Sequence, residues 1–376
     1  MYFEQKRWTD GAWSSVHDSL QSSADLVLAF GDRAHMESAE RFDELRAAHP
    51  GASIVGGSTG GEIQNVQVLE QSVVASAIEF EHTDVRTASV SLREAGTSRE
   101  AGVEIATALQ APSLTHVFLL SDGLHVNGSE LVRGLTLHVG DDVSVTGGLA
   151  ADGDRFDRTP LWHDGIQDAP SVIGVGFYGD RISIGCGALG GWDPFGPQRR
   201  IRRSDGNVLY AFDNHAALEL YRRYLGPYAD DLPASGLRFP LAVQVPGESH
   251  EIVRSVIGMN EEDNSITYAG NVPEGAYARL MKVNNERLID GAVGAARGSR
   301  RALDASTVDL AVVASCVGRK QILQQRTAEE IEQAGRELGE EAALIGFYSY
   351  GEIAPVQDTT RCELLNQTMA VTTFSE

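Results

Sequence analysis

The chain has little cysteine and little positive charge. Its 376 residues include three cysteines, Cys186, Cys316 and Cys362. Three is too few for a four-cysteine zinc site, and an odd number argues against a disulfide framework. Lys and Arg total 31 against 53 Asp and Glu, which gives a formal net charge of −22. A chain this acidic repels phosphate backbones and anionic lipid, so we expect neither nucleic acid nor membrane as a partner. We interpret the basic run Arg199–Arg203 as a solvated turn.

Long apolar runs are also missing. No stretch approaches the roughly 18 apolar residues that a membrane-spanning helix needs. The N-terminal sequence MYFEQKRW lacks the apolar region of a secretory signal, so we expect a cytoplasmic protein. Hydrophobic residues make up 42% of the chain and charged residues 22%, which excludes disordered and fibrous classes.

The common nucleotide and metal motifs are absent as well. The chain has no P-loop, no pair of histidines spaced as a zinc motif and no CxxCH haem attachment. Two GxGxxG matches, Gly174–Gly179 and Gly185–Gly190, lack the following helix that a dinucleotide site requires. The aspartates of Asp152–Asp157 lack the glutamate of a calcium loop, because His163 stands at its position. We interpret that segment as a turn stabilised by aspartates.

Glycine, by contrast, is abundant, and its placement reveals a repeat. Each copy begins with an apolar strand, continues through a helical stretch to a second strand and a glycine-rich turn, and ends on a third strand. The first strands begin at Asp25, His116 and Asp309, and the turns begin at Gly56, Gly147 and Gly346. The pattern predicts an α+β (mixed α/β) fold with two lobes, built from strand-helix-strand-turn-strand units whose mixed sheets are flanked by helices.

Several motifs of this chain resemble one known family. They are Gly56–Ile63, Ser121–Gly128, Gly147–Gly153, Gly191–Pro197, Tyr348–Ile353 and Glu363–Met369. In this order they resemble the FIST family, from about residue 25 to the end of the chain. We therefore predict an N-terminal extension over residues 1–24, a FIST-N lobe over 25–210 and a FIST-C lobe over 211–376.

The resemblance implies a sensory protein of bacterial signal transduction that binds a small ligand and is not an enzyme. Ligands such as amino acids are proposed for the family. A subset of stand-alone FIST proteins binds haem, senses nitric oxide and regulates a histidine kinase. We therefore expect a small-molecule ligand and a signalling partner such as a histidine kinase. The most specific form of this hypothesis is a sensor that binds haem and detects nitric oxide. Haem would be held without a covalent bond, because CxxCH is absent.

Two histidines are candidates for an axial ligand of haem, which needs one donor beside an apolar slot. His125 follows a predicted strand and is the first choice, whereas His163 lies in a predicted turn and is the second. The alternative for each is a surface or structural histidine.

Ser58 carries the alternative function. Gly56–Gly60 fits GxSxG, the nucleophile elbow of α/β-hydrolases, in which a strand, a sharp turn and a helix follow one another. A β-rich stretch follows Ser58 instead, and the other copies have Leu149 and Tyr348 at the equivalent place. We prefer a ligand-facing turn and keep a Ser58-dependent hydrolase as the alternative.

Polar and aromatic residues near strand ends complete the expected ligand site. Glu62 and Glu352 occupy the same place in two copies, where they would either bind an amine or brace the loop. The full set expected to line a cleft between the lobes is Ser58, Thr59, Glu62, Asp122, Asn127, Trp192, Tyr348, Tyr350, Glu352 and Asn366.

Overall fold

A computed structural model describes residues 1–248, 250–305, 307–356 and 361–376. In chain order, the strands of its first half are β1 (Tyr2–Thr9), β2 (Ala12–Asp18), β3 (Leu26–Gly31), β4 (Ser53–Ser58), β5 (Glu62–Gln64), β6 (Gln67–Leu69), β7 (Val73–Glu79), β8 (Asp84–Ser91), β9 (Leu114–Ser121), β10 (Ser144–Leu149), β11 (Leu161–His163), β12 (Ser171–Tyr178) and β13 (Ser183–Leu189). The strands of its second half are β14 (Asp193–Asp205), β15 (Val208–Phe212), β16 (His215–Ala216), β17 (Leu241–Gln244), β18 (Ile252–Arg254), β19 (Val256–Asn260), β20 (Ser265–Tyr268), β21 (Tyr277–Lys282), β22 (Leu310–Cys316), β23 (Ala343–Ser349), β24 (Gly351–Pro355), β25 (Cys362–Leu365) and β26 (Met369–Ser375).

The helices lie between these strands. They are α1 (Arg33–Met36), α2 (Ala39–Ala48), α3 (Leu92–Ala95), α4 (Ser98–Leu109), α5 (Gly128–Val139), α6 (Ala217–Leu225), α7 (Asn285–Ala302), α8 (Val317–Leu323) and α9 (Thr327–Leu338). Short 3-10 helices cover Gly226–Asp231, Ala234–Arg238 and Gln324–Arg326. No described helix is long and apolar enough to cross a membrane.

The three predicted repeats share one strand pairing. In each, the first strand pairs in parallel with the second and antiparallel with the third: β3 with β4 and β7, β9 with β10 and β12, and β22 with β23 and β26. Helices form the crossover between the two parallel strands, as such a connection requires: α1 and α2, α5, and α8 with α9. The predicted mixed α/β class, with mixed sheets flanked by helices, is confirmed.

The strand after each glycine turn leaves its own unit and joins another. After the first turn β5 pairs with β23 of the third unit, and after the third turn β24 pairs with β10 of the second. The cycle closes with β11, which follows the second turn and pairs with β4 of the first unit. Each unit therefore completes the sheet of another, and the three six-stranded sheets are interlocked.

The first glycine of each turn allows the two parallel strands to lie close together. A Cβ atom at this position would come within 1.9–2.4 Å of a carbonyl oxygen on the first strand of the same unit, closer than any real contact. The glycine and carbonyl pairs are Gly56 with Ala29, Gly147 with Leu119, and Gly346 with Val313. A larger residue would push the second strand away, which explains why glycine recurs here in all three copies.

The main hydrophobic core lies between the three interlocked sheets. Because side chains alternate along a strand, every second residue of β3, β9 and β22 faces it, including Leu28, Leu120 and Val312. Phe30 of the first unit stacks on Phe347 of the third, with ring centroids 4.5 Å apart. The opposite sheet faces are buried by helices, for example by α4 and α5 over the second unit.

A fourth sheet stands apart from the repeat. Its strand order is β18-β17-β21-β14-β15-β20-β19, and β16 also pairs with β15. Helix α6 buries Leu218 and Tyr221 against one face of this sheet. The helix begins at Ala217 after an Ala216 cap. The run Arg199–Arg203 lies inside β14, so the interpretation of this run as a turn is wrong.

The predicted domain limits fall on structured segments. Residues 1–24 contain a hairpin of β1 and β2, and β1 extends the first sheet by pairing with β7. The limit between residues 210 and 211 falls inside β15, which pairs with β14 and β20. The division into lobes stays a prediction.

Candidate functional site

The first and third glycine turns are each held by a buried glutamate. Glu62 accepts hydrogen bonds from the Thr59 hydroxyl (2.6 Å) and from the hydroxyl (2.7 Å) and amide (3.3 Å) of Ser72. Glu352 accepts the matching bonds from the Ser349 hydroxyl (2.7 Å) and from the hydroxyl (2.7 Å) and amide (3.2 Å) of Thr368. Each carboxyl group thus ties its turn to the residue that precedes the closing strand. These contacts support loop bracing over amine binding.

Both carboxyl groups lie in the interior, with at most 1% of each residue exposed. Burial raises the pKa of Glu62 to about 7, and the hydrogen bonds from Ser72 and Thr59 oppose part of that rise. Burial likewise raises the pKa of Glu352 to about 7, opposed by hydrogen bonds from Ser349 and Thr368. Near neutral pH a large fraction of each group therefore carries a proton.

The second turn is organised around Asp152, which is fully buried. Its carboxylate accepts hydrogen bonds from the amides of Phe156, Asp157 and Arg158 at 3.0–3.1 Å, and from the Tyr350 hydroxyl. Burial raises its pKa, but these bonds outweigh burial and the net pKa is lowered. The contacts are those of a turn stabilised by an aspartate, as the sequence predicts. No cluster of His, Cys, Asp or Glu among the described residues could hold a metal ion.

Ser58 lacks the partners of a nucleophile. It is 1% exposed, and its hydroxyl makes no hydrogen bond to any described residue. After the turn the chain continues into β5 and not into a helix. Activation of a serine needs a base within hydrogen-bond reach, so the geometry gives the hydrolase alternative no support.

Asp122 and Asn127 organise the segment between β9 and α5. The Asp122 carboxylate accepts hydrogen bonds from the amides of Leu124 (3.0 Å) and His125 (2.6 Å) and from the Thr159 hydroxyl (2.8 Å). Asn127 caps α5 through the amide of Glu130 at 3.2 Å. Both residues therefore have bonding partners within the fold.

The two predicted haem ligands lie apart from each other. His125 has 56% of its side chain exposed, and its Nδ1 is 3.0 Å from Asp122. His163 is at the end of β11, where its Nε2 is 3.0 Å from the Thr87 hydroxyl and burial lowers its pKa. Neither side chain lines the clefts described below.

Tyr348 and Asn366 are enclosed by the protein. Tyr348 is fully buried and donates its hydroxyl to Glu330 at 2.9 Å, where burial raises its pKa well above the ordinary value. Glu330 also forms a buried ion pair with Arg319 at 2.7 Å. Asn366 is 1% exposed, and neither atom of its amide group has a hydrogen-bond partner among the described residues.

A cleft of about 1110 Å³ lies between the fourth sheet and the repeat units. One wall is the outer face of the fourth sheet, formed by Ala242, Gln244, Val253, Arg279 and Met281. The other wall is formed by Gly190, Gly191, Trp192, Leu365 and Thr368 and by the first turns of α7 with Arg287, Asp290 and Gly291. A second cleft, of about 650 Å³, is lined by Thr59 and Glu62 among others.

The predicted site residues are therefore not brought together in one cleft. Trp192 lines the larger cleft, Thr59 and Glu62 line the smaller one, and the remaining seven line neither. Sequence reasoning missed Arg279, Arg287 and Asp290, which belong to no motif. The one signal for Arg279 is the alternation of Tyr277, Arg279 and Met281 along β21, where polar and apolar side chains share a face. Arg287 and Asp290 lie on α7 and have no such signal.

The larger cleft combines opposite charges with apolar surface. Arg279 donates from Nη2 to Glu251 at 2.9 Å, whereas its buried Nε has no partner among the described residues. Arg287 is 58% exposed, and its nearest carboxylate, Asp193, is 3.6 Å away. The Trp192 indole donates to the Gln367 carbonyl at 2.9 Å, which fixes the ring in the wall.

His250 also lines the larger cleft. Its Nε2 lies 3.2 Å from a carboxylate oxygen of Glu248, which meets the distance limit for an ion pair. The same atom is buried and makes no hydrogen bond to a described residue. This nitrogen therefore lies beside a carboxylate without being held by a hydrogen bond to the described residues.

Comparison with family models decides the relationship. The FIST N domain model matches residues 25–215, and the FIST C domain model matches residues 217–355. The chain belongs to the FIST family. FIST domains are small-ligand sensory domains of signal transduction.

Comparison with individual proteins adds little to this. No curated protein matches the chain. Among solved structures, a cyanuric acid hydrolase from A. caulinodans is 11% identical, with coverage of 78% of this chain and 68% of that chain and a TM-score of 0.24. Similarity at that level carries no argument about fold or activity.

The buried glutamates predict a dependence of stability on pH. Their pKa is about 7 in the folded protein and near 4.5 when exposed, so between these values the folded state binds more protons. The free energy of unfolding should therefore fall as pH rises from about 4.5 to 7. The double variant Glu62→Gln, Glu352→Gln keeps both side chains neutral, and its melting temperature should decline less than that of the wild type between pH 5 and 8.

Glu332→Gln is the control, because the Glu332 side chain is 50% exposed. It should keep the wild-type pH dependence. Thermal unfolding followed by circular dichroism across this pH range measures the effect. A double variant with the same pH dependence as the wild type would show that these carboxyl groups are already ionised.

Proposed function

We propose that this FIST protein is a cytoplasmic sensor that binds a small zwitterion of the amino-acid type in the larger cleft. The observation that carries the proposal is the arrangement of charges there. Arg279 and Arg287 bring positive charge to the cleft, Glu251 and Asp290 bring negative charge, and Trp192 and Met281 add apolar surface. Small-molecule sites typically combine an apolar surface with a small number of polar groups that orient the ligand.

Each part of such a ligand has a matching group. A carboxylate is best bound by a guanidinium, which offers several N–H donors in one plane. The N–H group at Arg279 Nε has no acceptor among the described residues. A ligand ammonium group would find the exposed carboxylate of Asp290. The ligand side chain would contact Trp192 and Met281, which are 7% and 5% exposed.

Binding would also alter contacts within the protein. Arg279 already pairs with Glu251, so a ligand carboxylate competes with that glutamate for the guanidinium. Glu251 is next to His250 and precedes β18, an edge strand of the fourth sheet. Release of Glu251 would allow the ligand to alter the conformation of this edge strand. We propose that a signalling partner such as a histidine kinase responds to that conformational change.

A second candidate ligand is haem, with nitric oxide as the signal. His250 supports it, because it lines the cleft and its buried Nε2 has no hydrogen-bond partner among the described residues. Iron coordination needs an imidazole nitrogen with a free lone pair, and the apolar wall would contact the macrocycle. His125 and His163 do not face this cleft. Haem would supply the nitric-oxide binding, and His250 would hold it.

A binding assay tests the zwitterion proposal. The expected result is that at least one amino acid of a full panel raises the melting temperature, since a ligand of the folded state stabilises it by about 2.7 kcal/mol at a hundredfold excess over Kd. Calorimetry should then show Kd weakened by more than about tenfold in Arg279→Ala, because the carboxylate loses its guanidinium. Arg222→Ala is the control, since Arg222 lies on α6 and forms an exposed ion pair with Glu261. Equal affinity in Arg279→Ala and the wild type would refute the site.

Titration with haemin tests the second candidate. Uptake should give a Soret band that is lost in His250→Ala and retained in His125→Ala and His163→Ala. Loss in either of the latter two and not in His250→Ala would refute the assignment to His250. No uptake by the wild type would refute haem as the ligand.

A further inference from the structure

Strand β14 carries three arginines on its solvent side. Ile201 is fully buried in the core of the fourth sheet. Arg200 precedes it and faces the opposite side, because side chains alternate along a strand, and Arg202, which follows it, is exposed. A bulge follows Ile201, and Arg203 is exposed as well.

Two tyrosines from neighbouring strands join these arginines. Tyr277 of β21 is the cross-strand partner of Arg200, so the two side chains share a face, and Tyr277 is 43% exposed. Tyr210 of β15 lies under Arg203, whose guanidinium carbon is 4.4 Å from the ring centroid. We name the set Arg200, Arg202, Arg203, Tyr210 and Tyr277 the arginine–tyrosine stripe.

The arginines of the stripe lack acidic partners. None of their guanidinium groups lies within 4.0 Å of a carboxylate of the described residues. Arg199, by contrast, pairs with Asp213 at 3.2 Å and donates to the Tyr224 hydroxyl. Three arginines whose guanidinium groups form no ion pair with the described residues thus lie together in a chain whose net charge is −22. Among the described residues, the one carboxylate that hydrogen-bonds to them, Asp213, accepts from the Arg200 backbone amide at 3.2 Å.

We propose that the arginine–tyrosine stripe binds an acidic segment of a partner protein. Arg200 and Arg202 are two positions apart, so about 6.6 Å separates them along the strand. Alternate side chains of an extended peptide have the same spacing, so successive glutamates or aspartates on one face would meet successive guanidinium groups. The tyrosine rings add apolar contact beside these charge pairs.

An acidic peptide fits this surface better than nucleic acid does. Proteins that bind nucleic acid tightly neutralise about six to ten phosphates, and the stripe supplies three cations. The positive charge of the stripe acts over a screening length of about 8 Å in physiological salt. A long polyanion would extend past that range and would come close to the negative charge of the rest of the chain. A short acidic segment needs only the local positive charge.

The stripe adjoins the larger cleft. Tyr277, Arg279 and Met281 alternate along β21 and face the same side, and the last two line the cleft. A partner bound to Tyr277 and Arg200 would therefore contact the sheet face that forms the cleft wall. Binding of the acidic segment does not depend on the identity of the cleft ligand.

Fluorescence anisotropy with a labelled oligoglutamate peptide tests the proposal. The wild type should bind the peptide at roughly physiological ionic strength, and Arg200→Glu, Arg202→Glu should weaken Kd more than about tenfold. The control Arg93→Glu, Arg99→Glu makes the same change in net charge at two exposed arginines of α3 and α4. It should keep Kd within about twofold of the wild type. Circular dichroism should show that both double variants are folded.

Three results would overturn the proposal. The first is no binding of the peptide by the wild type. The second is an equal loss in both double variants, which would show a response to net charge alone. The third is tighter binding of labelled oligothymidylate than of oligoglutamate, which would make the stripe a nucleic-acid surface.

Discussion

The exchange of strands at the glycine turns is the constraint on which the rest of the fold depends. The strand that follows each turn pairs with a strand of another unit. In this way β5, β11 and β24 each extend the sheet of a unit other than their own. No unit can bury its sheet edge without the others. The first glycine of each turn makes this possible, because a Cβ there would collide with the adjacent parallel strand.

Buried carboxyl groups then fix the turns. Glu62 and Glu352 have the same three hydrogen-bond donors in the same places, and Asp152 performs a related task in the second turn with backbone amides. Each of these residues is at most 1% exposed and accepts several hydrogen bonds from the protein. These contacts hold the turns in place, and the cleft that we propose for the ligand is the one where the repeat units meet the fourth sheet.

This division explains what could be read from the sequence. The repeat was visible because its glycines are required where the two parallel strands of a unit lie close together. The same requirement holds in each unit, because the same strand pairing occurs in each. The recurrence of Glu62 and Glu352 was visible for a similar reason, because both carboxyl groups hold a turn. The cleft residues Arg279, Arg287 and Asp290 occur once. Their meeting depends on how β21 and α7 pack, which local sequence does not encode.

Native-state hydrogen exchange tests the interlocked architecture most directly. Amides in regions that open separately exchange faster than those exposed only by global unfolding. If the three units form one cooperative body, the amides of β5, β11 and β24 that bond across units should exchange by global unfolding, with protection within about tenfold of their partners in β23, β4 and β10. Fast exchange confined to one of these strands, with its partner still protected, would show that this unit opens alone and would contradict the account.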